Sequence, residues 1–497
     1  GAEADDAVAV HVEAGRDISN LSAIIQNNHA TDITSFVAGR DIVQQTQRDA
    51  SSGAFSTFKE DSNQISQFEI AGPGQAEFLA GRSIILGTSD GIETVGNSKN
   101  RFLPEGGADL VLMAGLGEGP DYEAFIQAYL GGTSGTGTDP EEAFIQAVVA
   151  GTTETDVTAA FNQAEENEDI PATGTEATAE LADYSQSLEE FLQQRGIEVA
   201  VKDPVEIFRS LDRRTQRALL AEILFNELLE SGTFAQESAT QDYERGFNAI
   251  ASLFPASDSS AEISMLLSQV QTLDGGDIQM LVPGGLINAG SSNSDIIAKG
   301  ASELGVVAAK EGDIDVFVDG DLLVNSTRVF ALQGDLLVWS SNGSIDAGKG
   351  AKTVASVPEP VTRLGPTGET IIEFPPAVEG SGLQGANAFL FAPNGVINAG
   401  DAGIRTAGNL TLGATEVLGA ANIDVGGVSV GVPVASSSVS GLAGANNVAS
   451  TASKLAEDSA STLAGNDAGG AEDSELGILS VEVVGFGNCP PGESTCN

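Results

Sequence analysis

The sequence predicts a mainly β protein, an elongated solenoid of stacked β-coils that is interrupted by an α-helical insertion. The first observation is a six-residue signature, Gly-x-Ile-Asn/Asp-Ala-Gly, which occurs at 285–290, 343–348 and 395–400. The second is that each copy follows a short run of strand-forming residues, and strand-turn-strand units that recur along a chain are typical of stacked coils. The third is a change to helical spacing of the apolar residues between the first coils and the signature copies. Because one coil cannot bury its own apolar face, the coils have to stack.

Residues 1–119 are predicted to form β-helix coils. An Ala-Gly-Arg triplet occurs at 14–16, 38–40 and 80–82, and each triplet precedes Asp-Ile or Ser-Ile. Apolar residues flank the triplets, which indicates a strand, a glycine turn and a second strand in each case. The uneven spacing of the triplets indicates loops inserted between coils.

Residues 120–260 are predicted to be an α-helical insertion. Asp203-Pro204-Val205-Glu206 has the cap, the proline and the acidic third position of a helix start. We expect the helix that contains the middle apolar stripe to end at Gly232, and the third stripe to end at Pro255. The stripes at helical spacing are Tyr184, Leu188, Phe191 and Leu192; Leu220, Ile223, Leu224 and Leu228; and Tyr243, Phe247, Ile250 and Phe254.

Residues 261–435 return to β-coils and carry the three signature copies. Gly-Asp steps recur in this part, at 276–277, 312–313, 320–321 and 334–335. Residues 436–475 are rich in Ser, Ala, Gly and acidic residues, which predicts a flexible acidic linker. Residues 476–497 are predicted to form a C-terminal strand that leads to the two cysteines.

The charge balance excludes some classes of partner. The chain has 71 acidic and 22 basic residues, a net charge of −49. So negative a surface repels nucleic acid and anionic lipid, and we expect no nucleic-acid partner. The sequence contains no apolar run of about 18 residues that would span a membrane as a helix. No signal peptide is visible after Gly1, so we expect the export signal to lie upstream.

The two cysteines, Cys489 and Cys496, lie close together near the end of the chain, separated by a Pro-Pro-Gly turn. A disulfide between them would close a small loop and would indicate an oxidising compartment. Zinc binding is the rival interpretation, but two thiols without a nearby histidine make a poor zinc site.

Candidate catalytic residues each have a simpler interpretation. Gly87–Gly91 fits Gly-x-Ser-x-Gly, but a strand-like run follows where a nucleophile elbow needs a helix, so we interpret it as a β-turn. The two histidines, His11 and His29, lie in no catalytic pattern. We therefore predict that the chain is not an enzyme and uses no cofactor.

A cluster of four aspartates alternates with apolar residues and has two interpretations. Such carboxylates can bind Ca²⁺ or serve a carbohydrate-active enzyme, but we expect them to face outward on an acidic rod without binding metal. The cluster is Asp313, Asp315, Asp319 and Asp321.

A basic stripe in the helical insertion has two interpretations as well. Either its arginines pair with neighbouring glutamates, or they dock within or between molecules on the acidic rod. We expect Trp339 to be packed and not to serve as a platform for sugars. The stripe consists of Arg209, Arg213, Arg214 and Arg217.

Between residues 240 and 435 a series of short motifs comes in a specific order. It includes Leu281-Val-Pro-Gly-Gly285, Trp339-Ser-Ser-Asn-Gly343 and Ile397-Asn-Ala-Gly-Asp-Ala-Gly-Ile404. This series resembles the C-terminal domain of filamentous-haemagglutinin-family exoproteins of Gram-negative bacteria. The resemblance covers about 200 residues closely, which is within the usual length of a domain.

The resemblance implies a right-handed parallel β-helix that is secreted through an outer-membrane β-barrel transporter, its partner in two-partner secretion. It implies a secreted, cell-surface adhesin that mediates attachment or cell–cell aggregation in biofilm, with surface glycans, matrix polysaccharide or copies of itself as partners. Some relatives end in a pair of cysteines that retains the C-terminus at the outer membrane, and Cys489 and Cys496 match that hook in position.

Two alternatives stay open. The chain could be a self-assembling extracellular filament subunit, because solenoids that lack a capping coil associate end to end. A β-helical carbohydrate-active enzyme is the less favoured alternative, and it would need converging aspartates and an aromatic platform for the sugar.

Overall fold

A computed structural model divides the chain into two units, Gly1–Pro433 and Val434–Asn497. The second unit lies outside the described residues, and so do the predictions made for 434–497. The described residues are 9–44, 67–97, 106–117, 119–131, 184–197, 203–238, 241–256, 260–291, 304–350, 355–356, 361–364, 370–373 and 378–433.

The first unit is a parallel β-helix in which each coil contributes one strand to each of three ladders. Strands are numbered in chain order. The first ladder consists of β1 (His11–Ala14), β4 (Ile33–Ala38), β7 (Gln75–Ala80), β10 (Asp109–Met113), β13 (Ile278–Val282), β16 (Ile314–Val318), β19 (Leu336–Ser340), the first parts of β26 (Ala388–Asn398) and β28 (Leu410–Leu418), and β30 (Ser429–Val430).

The second and third ladders run beside the first. The second consists of β2 (Asp17–Ser19), β5 (Asp41–Val43), β8 (Ser83–Ile85), β11 (Glu262–Ser264), β14 (Leu286–Asn288), β17 (Leu322–Leu323), β20 (Ile345–Asp346) and the last parts of β26 and β28. The third consists of β3 (Ala23–Gln26), β6 (Gln67–Ala71), β9 (Gly91–Gly96), β12 (Gln269–Thr272), β15 (Gly305–Ala308), β18 (Arg328–Ala331), β25 (Gly382–Gly385), β27 (Ile404–Thr406) and β29 (Ile423–Val425).

Two insertions that contain described helices or strands interrupt the coils. Five described helices lie between β10 and β11, that is, between the first and second ladders of one coil: α1 (Tyr122–Tyr129), α2 (Ser185–Gln194), α3 (Pro204–Ser210), α4 (Arg213–Glu237) and α5 (Glu244–Leu253). An antiparallel excursion lies between β20 and β25, and a 3₁₀ turn follows β28. The excursion consists of β21 (Ala355–Ser356), β22 (Val361–Leu364), β23 (Thr370–Glu373) and β24 (Val378–Glu379), and the 3₁₀ turn is Ala420–Asn422.

Both sequence repeats place their isoleucine in one inward column of the second ladder. Ile42 of the Ala-Gly-Arg-Asp-Ile repeat pairs with Ile84, and Ile345 of the signature pairs with Ile397. All members up to Ile397 are buried in the core between the ladders. Burial of such side chains is the main favourable term in folding. The column runs Ile18, Ile42, Ile84, Ile263, Ile287, Leu322, Ile345, Ile397 and Val417.

Glycines stack at the corner between the first and second ladders because there is no room for a side chain. A Cβ atom on Gly343 would lie 2.2 Å from the carbonyl carbon of Gly320 in the preceding coil. A Cβ atom on Gly81 would lie 2.3 Å from the carbonyl oxygen of Gly39. The glycines that begin the signature and those of the Ala-Gly-Arg triplets therefore serve the same purpose, close approach of successive backbones.

The fourth position of the signature closes a turn. The Oδ1 atoms of Asn288, Asp346 and Asn398 accept hydrogen bonds from the backbone N–H groups two residues on, at 3.2, 2.8 and 3.0 Å. Either Asn or Asp can do this, which explains why both occur at this position. The final glycine then turns the chain towards the third ladder, and Gly348 does so at a φ of 90°.

The predicted parallel β-helix with a helical insertion is confirmed, and so is the helix start at Asp203, whose carboxylate accepts from Val205 N–H at 2.9 Å. The expectation that a helix ends at Gly232 is wrong. Helix α4 continues to Glu237, and Gly232 lies against the ring of Phe391, where a Cβ atom would be 2.2 Å from the ring. This glycine allows close packing and does not terminate the helix.

We predict that Gly343→Ala destabilises the first unit by about 1–3 kcal/mol, because the new methyl group forces two backbones apart. Gly15→Ala is the matched control at the same corner, since a Cβ atom there meets nothing within 4 Å. Chemical unfolding followed by circular dichroism measures both variants. Equal stability of the two variants would show that the glycine stack is not a steric requirement.

Candidate functional site: the helix-covered face and the charged corners

The helical insertion covers the outward face of the first ladder. One column of outward side chains runs in register along this face, and its members from Leu79 to Phe391 are all buried in a second hydrophobic core together with the helices. Strands covered on both faces are typical of parallel sheets and explain runs such as Leu-Val-Leu-Met in β10. The column runs Leu79, Met113, Leu281, Phe317, Trp339, Phe391 and Gly413.

Helix α4 runs along the stack of coils. Near its start, Arg217 contacts Glu77 in β7, and near its end Gly232 contacts Phe391 in β26. Its 25 residues span about 37 Å at 1.5 Å per residue. The nine described strands of the third ladder span about 38 Å at 4.8 Å per step. One helix is therefore long enough to cross almost every coil, and we call α4 with α5 the helical clamp.

Glycines in the clamp allow the helices to approach the aromatic column. A Cβ atom on Gly246 in α5 would lie 2.6 Å from the ring of Trp339. The rings of Tyr243 and Phe247 meet Trp339 edge-on, with centroids 5.8 and 5.7 Å away. Trp339 is fully buried, and its Nε1 donates to Ser341 Oγ at 3.1 Å. Trp339 is therefore packed, as expected, and cannot act as an exposed sugar platform.

A buried ion pair joins the clamp to the coils. Nη1 of Arg217 lies 2.5 Å from Oε2 of Glu77, and the Glu77 side chain is fully buried. Nε of Arg217 donates to the hydroxyl of Tyr122 at 3.0 Å. Burial raises the pKa of Glu77, and the charge of Arg217 opposes that rise. Removing one member of such a pair leaves an uncompensated buried charge.

A second buried network holds the helices to each other. Arg245 in α5 donates two hydrogen bonds, at 2.7 and 2.8 Å, to the carboxylate of Glu227 in α4. The hydroxyl of Tyr184, at the start of α2, donates to the same carboxylate at 2.6 Å. Three segments distant in the chain thus share one carboxylate, and this makes their relative placement specific.

Arginine and aspartate alternate between the first coils. Arg40 donates to both oxygens of Asp17 at 2.8 and 2.6 Å, and Arg82 donates to both oxygens of Asp41 at 2.9 and 2.5 Å. The hydrogen bond from Arg40 lowers the pKa of Asp17. The arginines of the second and third triplets therefore each bind the aspartate that follows the triplet one coil earlier. This pairing between coils explains why Ala-Gly-Arg-Asp-Ile repeats as a unit.

A ladder of aspartate and asparagine side chains lines the corner between the third and first ladders. Each side chain accepts a hydrogen bond from the backbone N–H of the member in the next coil, at 2.7–2.9 Å. The Gly-Asp steps were the sequence signal for three members. The fourth step, at Asp321, lies at a different corner, where its carboxylate accepts from Ser344 N–H. The members are Asp109, Asp277, Asp313, Asp335, Asn387 and Asn409.

The pKa of two carboxylates at this corner is raised into the neutral range. Burial, then the charge of Asp277, raises the pKa of Asp109 to about 7. Burial, then the charges of Asp277 and Asp313, raises the pKa of Asp315 to about 8. Asp315 points outward from β16 beside the ladder, where burial and the nearby carboxylates of Asp277 and Asp313 favour its protonated form.

The candidate catalytic and metal-binding residues do not converge. Ser89 is fully buried in a turn, its Oγ donates to the Leu86 carbonyl at 2.7 Å, and strand β9 follows it. This confirms the β-turn interpretation. Asp319 accepts from Asn342 Nδ2 at 2.8 Å, on the other side of β16 from the Asp313 corner. Over the described ranges, no three His, Cys, Asp or Glu side chains are grouped to hold a metal ion.

The arginines of the basic stripe make local contacts within the helical insertion, except for Arg217, which binds the β-helix coils. Arg209 pairs with Glu123 at 3.0 Å and Arg214 with Asp212 at 3.5 Å, both partly exposed. Arg213 lies over the ring of Tyr122, 5.4 Å from its centroid. Of these four arginines, Arg217 forms the ion pair with the coils of its own molecule, through Glu77. Glu77 and Glu227, the buried partners of the two arginine networks, were missed, because a lone glutamate in a strand or helix carries no signal of burial.

His11 is exposed in β1 and does not lie in a catalytic arrangement. Its Nδ1 is 3.0 Å from Ser35 Oγ in the next coil. Burial, then the positive charge of Arg214, lowers its pKa. Cys489 and Cys496 lie outside the described residues, so the disulfide stays a prediction.

A comparison with models of known protein families gives a match for part of the chain. Residues 333–434 match a family model described as a filamentous haemagglutinin family outer membrane protein. The resemblance seen in the sequence is confirmed for this segment. The match covers the coils from β19 to β30, including the aromatic residues Trp339 and Phe391 under the clamp.

The family description agrees with a secreted, cell-surface location. No curated protein and no solved structure matches the chain. Within the described part, none of the helices is long and apolar enough to cross a membrane.

We predict that Arg217→Met destabilises the first unit by about 3–5 kcal/mol, because it leaves Glu77 charged and buried. Adding Glu77→Gln should recover much of that loss, since neither charge then remains. Arg214→Met, on the same helix but at a partly exposed pair, should cost less than about 1 kcal/mol. Urea unfolding of the natural sequence, of these variants and of Glu77→Gln alone measures the differences, and additive losses in the double variant would exclude the buried pair.

We predict that the first unit is more stable at pH 5.5 than at pH 8.5, in part because of Asp315. Its pKa rises from 3.8 to about 8 on folding, so the folded state holds the proton more tightly between those values. Stability from this group is therefore complete below pH 3.8 and is lost as the pH rises to about 8. Asp315→Asn should reduce the difference in melting temperature between the two pH values, whereas the exposed control Asp401→Asn should not. An unchanged difference in Asp315→Asn would contradict this assignment.

Proposed function

We propose that this chain is the structural and adhesive C-terminal segment of a secreted two-partner-secretion exoprotein. It mediates surface-attached adhesion or cell–cell aggregation in biofilm, and a disulfide hook at Cys489 and Cys496 retains it at the surface. The observation that carries this proposal is the continuous β-helix whose coils from β19 onward match the filamentous haemagglutinin family.

The architecture suits a shaft that has to resist mechanical force. Backbone hydrogen bonds join each coil only to its neighbours, so an unclamped solenoid loses coils one at a time from its ends. Helix α4 contacts β7, β26 and β28, and α5 contacts β19, so many coils have to separate from the clamp together. A stiff rod of this kind presents an extended surface on which many weak contacts add up.

The proposed partners follow from the same shape and charge. The outer-membrane β-barrel transporter of the secretion system exports the chain, and surface glycans, matrix polysaccharide or further copies of the chain are the adhesive partners. The net charge of −49 disfavours nucleic acid.

Self-assembly into a filament is a second candidate, and one observation favours it. Large apolar side chains are exposed at both described ends of the stack, in the coil of β1 to β3 and in the coils of β28 to β30. They are Val10, Ile24, Leu418, Val428 and Val430. Apolar side chains at the ends of a solenoid favour end-to-end stacking.

We predict that thiol reduction of intact producing cells releases the protein from the cell surface and lowers cell aggregation. Cys489→Ser should be released without reductant, because the loop that forms the hook cannot close. Ser494→Ala, between the cysteines, is the matched control and should behave as the natural sequence does. Immunoblots of cell-bound and released fractions, with aggregation measured by settling, give both readouts.

The two readouts separate the parts of the proposal. Unchanged retention after reduction would exclude the hook, and filaments would then be sought in the released protein by electron microscopy. Normal aggregation by cells that lack the protein would exclude the adhesive role itself.

A further inference from the structure

The outward face of the third ladder is not part of the hydrophobic core under the helices, which takes its strand residues from the first ladder. On this third face, Arg328 and Phe330 of β18 and Arg405 of β27 come together. Phe330 pairs with Gln384 in β25, and Gln384 pairs with Arg405, so the three lie along one stretch of the face.

Arg328 is buried, and among the described residues it has no hydrogen-bonding or ion-pair partner. The residue is 2% exposed, and its Nε atom makes no hydrogen bond. Among the described residues, its guanidinium faces the ring of Phe330, whose centroid lies 5.6 Å from the guanidinium carbon. A buried guanidinium normally has a carboxylate or several carbonyl oxygens around it, because burying an unpaired charge is strongly unfavourable.

The neighbouring strands supply space and no counter-charge. Arg328 lies between Gly305 and Gly382 in the adjacent coils, and both glycines have positive φ, at 91° and 105°. A Cβ atom on Gly305 would lie 3.0 Å from Cγ of Arg328. Glycines on both sides therefore leave room for the arginine side chain and bring no side-chain acceptor to it.

A second cation faces the same ring. The guanidinium of Arg405 lies 5.3 Å from the centroid of Phe330, and it donates to the carbonyl oxygens of Ser381 at 2.9 Å and Ala402 at 3.3 Å. Burial, then the charge of Arg405, lowers the pKa of Arg328 to about 10, so Arg328 stays charged at neutral pH. Asp424 of β29 pairs in register with Arg405, and its negative charge opposes the lowering of the pKa of Arg405 that burial causes. Arg328 has no such carboxylate opposite it in the adjacent strands, where Gly382 is its partner in β25.

We propose that Arg328, Phe330 and Arg405 form a binding site for a single carboxylate or sulfate group. The planar guanidinium of Arg328 would donate two parallel hydrogen bonds to the anion, Arg405 would add its charge, and Phe330 would form an apolar wall. Because Arg328 is 2% exposed, the site accepts one small group and not a length of polymer. The group could come from a free anion or from an acidic sugar, and the site does not depend on the adhesive function.

Equilibrium dialysis of the full chain against radiolabelled sulfate tests the site, with ionic strength held constant by sodium chloride. We expect saturable binding of one sulfate per chain. We expect Arg328→Met to bind at least about tenfold more weakly, which is the loss of about one charge-assisted pair. Arg195→Met is the matched control, since Arg195 also stacks on a phenylalanine, at 3.6 Å from the ring of Phe191, but lies in the helical insertion.

A thermal melt of each protein with and without sulfate gives a second readout. The natural sequence should melt about 1–3 °C higher in saturating sulfate, because the ligand binds the folded state. Arg328→Met should lose that rise. If Arg328→Met does not fold, Arg328→Lys should still show weaker sulfate binding, because an ammonium group cannot form the two parallel bonds.

Competition identifies the source of the group. Displacement of sulfate by D-glucuronate, but not by neutral D-glucose, supports an acidic sugar, and displacement by acetate alone supports a free anion. Absence of saturable binding, or equal binding in Arg328→Met, would overturn the site. Neither result bears on cell aggregation, so the proposed adhesive function stands or fails separately.

Discussion

The hydrogen bonds between successive coils impose a repeat of about 4.8 Å, and the other features of the first unit have to fit that spacing. At this distance a side chain placed inside a sharp corner collides with the backbone of the next coil. Gly39, Gly81, Gly320 and Gly343 all lie where a Cβ atom would come within 3 Å of the preceding coil. Side chains that point inward have to stack on their own kind, as the isoleucine column of the second ladder does.

The same spacing turns polar residues into ladders. An aspartate at a corner is one coil away from the next backbone N–H group, so each carboxylate can accept a hydrogen bond from the coil that follows. The stacking that satisfies these N–H groups also buries carboxylates and brings like charges together, and burial, then the charge of Asp277, raises the pKa of Asp109. Asn387 and Asn409 continue the ladder without adding charge. At the first coils the like charges are kept apart differently, because Arg40 pairs with both Asp17 and Asp41, and Arg82 adds a second positive charge beside Asp41.

The clamp adds a connection that a simple solenoid lacks. Because α4 lies along the stack, its residues near the start and end contact coils that come before and after the insertion in the chain. Arg217 binds Glu77, which precedes the insertion, and Gly232 packs on Phe391, which follows it. The coils that match the filamentous haemagglutinin family thus share one buried interface with coils outside the matched segment. Such an interface suits a shaft that is proposed to hold cells against a surface.

The sequence by itself determined the fold class, because the repeats are local and their spacing reflects a repeating structure. The Gly-x-Ile-Asx-Ala-Gly copies, the Ala-Gly-Arg triplets and the helical stripes could each be recognised from nearby residues alone. The family resemblance was likewise visible in ordered motifs, and the match at 333–434 confirms it.

Only the tertiary structure decided which face the helices cover and which charges are paired. Gly232 looks like a helix end in the sequence, but in the structure it packs against the ring of Phe391. The two residues are far apart in the chain, so no local pattern in the sequence links them. Glu77 and Arg217 are similarly distant in the chain and adjacent in space. The burial of Arg328 likewise depends on residues of the adjacent coils, such as Gly382. The stacking of the coils brings these residues together, so the residues next to Arg328 in the sequence do not predict its burial.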